Sequence, residues 1–182
     1  HACGVGDPIP PEITRLMLQL KIHSLSLGYS GVSEATFKQL LALDEHDILP
    51  WVPSRGSVGA SGDLAPLAHM CLPLIGRGDV WDKDLTKRSP AADMLAAHGI
   101  EPVILQAKDG LALINGTQMM TAYGAFVLER TILLQRAADL LAAMSLEALQ
   151  GSAVPFDERI HAIRPHHGQK VVAANIRKLL EG

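Results

Sequence analysis

Apolar residues recur with helical spacing along most of the chain. The first run stops at Gly28 and has the i, i+3, i+4, i+7 spacing of an amphipathic helix, at Ile13, Leu16, Met17, Leu20, Ser24 and Leu27. Ser33 is a predicted N-cap of a second helix, which ends before Pro50. Asp63 is a predicted N-cap of a third helix, which ends before Gly76.

The second half of the chain is dominated by one long apolar pattern. From Thr117 to about Gln150 the sequence is rich in Ala, Leu and Met, and only Gly151 and Pro155 interrupt it. A helix of this length is typical of a helical bundle. We therefore predict a mainly α fold in which the long helix belongs to a bundle.

The remaining segments give shorter or weaker patterns. Residues 1–11 are predicted to form a loop. The pattern of residues 79–112 is irregular, with a short helix predicted at Ala91–His98 and a short strand at Val103–Gln106. Two further helical pieces are predicted at about 157–163 and 169–181.

Composition narrows the classes of function. The 182 residues are 48% hydrophobic and 19% charged, with a formal charge of -3, so the chain has no basic face for nucleic acid. Cys3 and Cys71 form no disulfide framework, which favours a cytoplasmic location. No apolar run predicts a membrane span. The first and last residues, His1 and Gly182, suggest an internal fragment of a longer protein.

The glycine-rich stretch GSVGASGDLAPLAH, residues 56–69, is the densest motif. A phosphate-binding loop would need Lys followed by Ser or Thr after its last glycine, but Asp63 follows Gly62. The run Gly59-Ala60-Ser61-Gly62-Asp63 does not match the G-x-S-x-G of a nucleophile elbow. A dinucleotide-binding fingerprint would follow a buried strand rather than a proline-marked loop. A plain structural turn stays open.

Ala60, Ser61 and Gly62 also permit a specific ring closure. In a tight bend, the Gly62 nitrogen can attack the Ala60 carbonyl, and glycine suits this bend because it has no Cβ. Loss of one water completes an imidazolone, and loss of the Ser61 hydroxyl as a second water leaves a methylene conjugated to the ring. The product is an electrophile, which ordinary side chains cannot supply. We expect Asp63 and the following helix N-terminus to direct N–H donors toward the ring oxygen.

The same stretch resembles the signature of the histidine and phenylalanine ammonia-lyases, a family of aromatic amino acid lyases. Their cofactor, 4-methylidene-imidazole-5-one (MIO), forms from Ala-Ser-Gly. Other similar stretches follow in the family's order, at HACGVG (1–6), LGYSGV (27–32), KDGLALINGTQ (108–118), Phe156-Asp157 and RPHHGQ (164–169). The resemblance therefore covers essentially the whole chain.

The resemblance implies a role for individual residues. Ala60, Ser61 and Gly62 match the cofactor, Asn115 matches the asparagine beside it that helps hold the substrate, and His1 matches a histidine that lines the substrate pocket of histidine ammonia-lyases. It therefore implies elimination of ammonia from an aromatic amino acid, with L-histidine giving trans-urocanate.

The resemblance also implies an architecture. It predicts a long-helix bundle with the cofactor motif on a loop before a helix, and a division into an N-terminal region, 1–115, and the start of the central bundle, 116–182. In the family, a homotetramer assembles the active site. The catalytic tyrosines and the carboxylate-binding arginine belong to segments outside this chain, so we expect the 182 residues alone to be inactive.

Several alternatives to the histidine ammonia-lyase interpretation stay open. A phenylalanine or tyrosine ammonia-lyase, an aminomutase of the same family, and a helical scaffold with an uncyclised motif all fit. A hydrolase with a catalytic triad of Ser61, Asp63 and His69 is disfavoured, because all three residues lie within nine positions on one turn and helix, which is a poor geometry for a triad.

The histidines other than His1 have ordinary interpretations. His69 is expected to pack or hydrogen bond rather than bind a metal, and adjacent His166 and His167 cannot easily face one ion together. We predict no metal site. His23 and Asp109 depart from the usual Asn and Glu of the family.

Overall fold

The computed structural model describes residues 2–58 and 62–181, and the chain divides into two compact units, 1–126 and 127–182. Within the described residues, the first unit contains the helices α1 (Pro11–Ser26), α2 (Glu34–Glu45), α3 (Leu64–Cys71), α4 (Ala91–Ala97) and α5 (Asp109–Ile114). The long helix α6 (Gln118–Ala148) begins in this unit. The predicted division of the chain into residues 1–115 and 116–182 stays a prediction.

Two small antiparallel strand pairs complete the first unit. Strand β1 (Val5–Pro8) pairs with β2 (Pro53–Arg55), and β3 (Asp79–Trp81) pairs with β4 (Arg88–Pro90). The first pair joins the N-terminal segment to the segment that leads into the glycine-rich motif. Each strand has only three or four residues, too few to give the alternation by which a strand is predicted.

The core of this unit forms between the apolar faces of α1, α2 and α3. Its fully buried side chains include Ile9, Ile13, Met17, Leu18, Leu40, Leu43, Leu67, Met70 and Leu74. Ser33 caps α2 by accepting a hydrogen bond from the Thr36 N–H. These contacts fix the helix that follows the glycine-rich loop against the rest of the unit.

The second unit is helical. It contains most of α6, a short 3₁₀ turn, and helices α7 (Glu158–Ala162) and α8 (His167–Leu180). The Asn175 amide donates to the Asp139 carboxylate at 2.8 Å and so links α8 to α6. Ala143 of α6 is buried, as are Ala173 and Ile176 of α8.

Most of the predicted helices are confirmed, within a few residues at their ends. The prediction that residues 1–11 form a loop is wrong for β1, and the strand predicted at Val103–Gln106 is also wrong. The Val103 N–H donates to the Leu74 carbonyl, but residues 101–106 lie in no strand. Helix α5, which follows at once, was not predicted.

One helical stretch, Asp109–Ala148, would be long and apolar enough to cross a membrane by length and composition alone. This differs from the sequence-based expectation of no membrane span. The core helix of a soluble protein meets the same criterion, so length and composition do not separate the two cases.

Candidate active site

Gly62, the last residue of the predicted cofactor triplet, has a backbone that only glycine adopts readily. Its φ is +90°, and a Cβ at this position would collide with the Gly116 carbonyl oxygen. Ala60 and Ser61 lie outside the described residues. At the described end of the triplet, the backbone therefore requires glycine and packs closely against Gly116.

Asp63 anchors this end of the triplet to the start of α6. Its carboxylate is fully buried and accepts hydrogen bonds from the Met120 N–H at 3.0 Å and from the Ser57 hydroxyl at 3.1 Å. Met120 is the third residue of α6, where backbone N–H groups have no partner within the helix. Asp63 thus caps a helix that is distant in sequence.

One expectation about Asp63 changes as a result. It does stand at the N-cap position of α3, but within the described residues its carboxylate makes no capping hydrogen bond to that helix. Its own N–H donates to the Gly116 carbonyl at 2.7 Å. The expectation that Asp63 and the N-terminus of α3 direct N–H donors toward the ring oxygen stays a prediction.

Asn115 lies beside this anchor, directly after α5. Its side chain is exposed, its N–H donates to the Leu111 carbonyl, and the next residue, Gly116, contacts Gly62 and Asp63. The fold therefore brings Asn115 next to the end of the Ala60-Ser61-Gly62 triplet, although about fifty residues of chain separate them.

The position of α5 depends on Asp109, one of the two residues that depart from the expected family pattern. Its fully buried carboxylate accepts from the N–H and hydroxyl of Ser33, at 2.7 and 2.8 Å, and from the Thr36 hydroxyl and the Gln106 N–H. Burial alone would raise the pKa of Asp109, but these donors hold it below its usual value. The Asp109 carboxylate, although its side chain is shorter than the usual Glu, therefore has hydrogen-bond donors on both oxygens and links α5 to α2.

The N-terminal segment is held against α3 by His69. The Gly4 N–H donates to His69 Nε2 at 3.0 Å, and burial lowers the pKa of this histidine. The packing is close, since a Cβ added to Gly56 would come within 3.0 Å of the Gly4 Cα. The expectation that His69 packs and hydrogen bonds is confirmed. His1, three residues before Gly4, lies outside the described residues.

Lys21 is a polar residue of this region that sequence analysis missed. It is fully buried, and its ammonium donates to the carbonyls of Ala112 and Asn115. The available signal was its place on the apolar face of α1, between Leu18 and Leu25, where a lysine is unusual.

Within residues 2–58 and 62–181, no three His, Cys, Asp or Glu side chains come together as a metal-binding group.

The profile of the aromatic amino acid lyases matches the chain from residue 1 to residue 182. The chain belongs to the aromatic amino acid lyase family. Among relatives of this family, it is 50% identical to the histidine ammonia-lyase of Bos taurus, over all of this chain and 27% of that protein. The chain therefore spans about a quarter of the length of this lyase.

Solved lyase and aminomutase structures have the same fold. The histidine ammonia-lyase of Trypanosoma cruzi matches with a TM-score of 0.91 and 40% identity, over 97% of this chain and 34% of that one. The tyrosine aminomutase of Streptomyces globisporus matches with a TM-score of 0.92 and 38% identity, over 100% of this chain and 34% of that one. The mainly helical fold predicted from the resemblance is confirmed.

Proposed function

We propose that these 182 residues are the cofactor-bearing part of an ammonia-lyase that converts L-histidine to trans-urocanate. The observation that carries the proposal is the contact of Gly62 and Asp63 with Gly116, which brings Asn115 near Gly62, the last residue of the predicted triplet. The 50% identity to a histidine ammonia-lyase supports this substrate, as does His1 at the position expected to line its pocket.

The triplet fits MIO, the cofactor that the family uses. Gly62 is the residue whose nitrogen must approach the Ala60 carbonyl, and its positive φ and lack of a Cβ permit a bend that other residues would resist. Once formed, MIO would supply an electrophile for the departure of the amino group.

The described residues would serve this chemistry by holding the site rigid. Asp63 fixes one side of the Gly62 turn to α6, and Asp109 fixes α5, which carries Asn115 at its end. The exposed Asn115 amide can both donate and accept hydrogen bonds, so it suits a substrate that carries an amino and a carboxylate group. A fixed site of this kind lowers the entropic cost of orienting the substrate.

We also propose that the complete protein is a homotetramer. Large apolar side chains of α6 are exposed in the single chain, including Val127, Leu128, Leu133, Leu134, Leu140 and Leu141. A helix that is apolar around its circumference needs partners, and the other helices of a subunit bundle would supply them. Light scattering coupled to size-exclusion chromatography should give the mass of four subunits.

The proposed ammonia-lyase activity is tested on the complete protein that contains this chain. We expect ammonia release and urocanate absorbance with L-histidine, and much lower rates with L-phenylalanine and L-tyrosine. A Ser61→Ala variant should lose this activity, whereas Ser26→Ala, at the exposed end of α1, should keep it. A preference for tyrosine or phenylalanine would overturn the substrate assignment. A β-amino acid product would identify an aminomutase, the activity named for the similar Streptomyces structure.

A further inference from the structure

Lys21 is a buried cation in the apolar core of the first unit. Only 1% of its surface is exposed, and lysine is almost never buried to this extent without a partner. Among the ion pairs of the described residues, none involves Lys21. Burial raises the pKa of the nearby Cys71 thiol to about 12, so this thiol stays neutral and does not serve as a counter-ion.

The partners of Lys21 are instead backbone carbonyls at the end of α5. The Nζ donates to the carbonyl oxygens of Ala112 and Asn115, both at 3.2 Å. The last carbonyls of a helix have no N–H partner within the helix, and they carry partial negative charge. Lys21 therefore caps α5 from across the core, more than ninety positions earlier in the chain.

The hydrogen bond from Lys21 is one of three that hold the backbone around Asn115. The Asn115 N–H is bonded to Leu111, its carbonyl is bonded to Lys21, and the carbonyl of the next residue, Gly116, is bonded to Asp63. The backbone is thus held before, at and after Asn115, while the side chain is exposed. Such an arrangement fixes where the side-chain amide is presented.

We infer that Lys21 is a positioning residue, which holds the backbone of Asn115 so that its amide is presented near Gly62, the last residue of the predicted triplet. The inference rests on the proposed function, because the role of Asn115 is part of that proposal. Burial lowers the pKa of Lys21, which agrees with the absence of a carboxylate partner among the described residues. An apolar side chain of the same length would fill the space but leave both carbonyls without this donor.

The first test is backbone dynamics, which does not depend on activity. In the complete protein, hydrogen exchange measured by mass spectrometry should be faster at residues 115–120 in Lys21→Met than in the unmodified protein. Lys21→Arg, which keeps a cationic donor, should restore most of the protection. Lys38→Met is the matched control, because Lys38 is exposed and pairs with Glu34 on α2. Unchanged exchange in Lys21→Met would overturn the inference.

The second test asks whether Lys21 acts through Asn115. Lys21→Met should lower kcat/KM for L-histidine by about 10²-fold, the scale for misplacing a substrate-orienting group. In an Asn115→Ala background the same change should cost less than about 3-fold, because the two residues act as a unit. Equal losses in the two backgrounds would overturn the inference. If Lys21→Met does not fold, Lys21→Leu, which also lacks a donor, replaces it in the cycle.

The two proposals fail in different ways. A complete protein that forms no cofactor and releases no ammonia contradicts the proposed function, and hydrogen exchange would then still decide whether Lys21 holds Asn115. An active protein in which Asn115→Ala has no effect contradicts the inference about Lys21 but leaves the lyase assignment intact.

Discussion

Replacing Asp63 by alanine should destabilise the junction between the cofactor loop and α6. The Met120 N–H would lose a hydrogen bond to a carboxylate, a type of bond that contributes about 1.5 to 3 kcal/mol. Ser57 is exposed, so its hydroxyl can bond to water instead. Loss of the hydrogen bond between Ser57 and Asp63 should therefore add little to the destabilisation. We therefore expect a loss of about 2 to 3 kcal/mol, a large share of the stability of a typical domain.

The assay is urea unfolding of the complete protein, followed by circular dichroism. Asp63→Asn should recover part of the stability, because its amide oxygen can still accept from Met120. Asp82→Ala is the control, since Asp82 accepts hydrogen bonds from Thr86 and Lys87 in an exposed turn, and its urea midpoint should shift less. An Asp63→Ala midpoint no lower than that of Asp82→Ala would refute the view that Asp63 anchors α6.

Three further predictions follow from the site. Gly62→Ala should prevent ring closure, because its Cβ would meet the Gly116 carbonyl, and mass spectrometry should then find Ser61 intact. The pKa of His69 is lowered by burial below its usual 6.5, so the folded state binds this proton less readily than the unfolded state. Stability should therefore fall as the pH drops below about 6.5, and His69→Gln should flatten this dependence in urea titrations at pH 5 to 8. The 182-residue chain alone should release no measurable ammonia from L-histidine; release at the rate of the complete enzyme would contradict the fragment interpretation.

Local sequence was sufficient to predict the helices other than α5, because their signals are local. Apolar spacing marks α1, Ser33 begins α2, and Gly151 follows the end of α6. The strands escaped prediction because each is short and is defined by a partner far along the chain, as β1 is by β2. Val103–Gln106 has strand-like residues, but a strand also needs a neighbouring strand to pair with.

The candidate site likewise contains residues that could be predicted from the sequence and residues that could not. The chemistry of Ala60-Ser61-Gly62 could be read from residue types, and Asn115 came from the family resemblance. The anchors could not be read locally, because Asp63 bonds to Met120 and Lys21 bonds to Asn115 across long sequence separations. A lysine on an apolar helix face shows that some distant partner is needed, but it does not identify the partner.

The most direct test of cofactor formation is the mass of the peptide that contains residues 56–69, isolated from the complete protein. We expect a peptide lighter by two waters, with the change localised to Ala60-Ser61-Gly62, and in Ser61→Ala a peptide whose mass differs only by the substitution. A peptide of full mass with an intact Ser61 hydroxyl, from protein that is folded and assembled, would contradict the proposal that this triplet forms MIO.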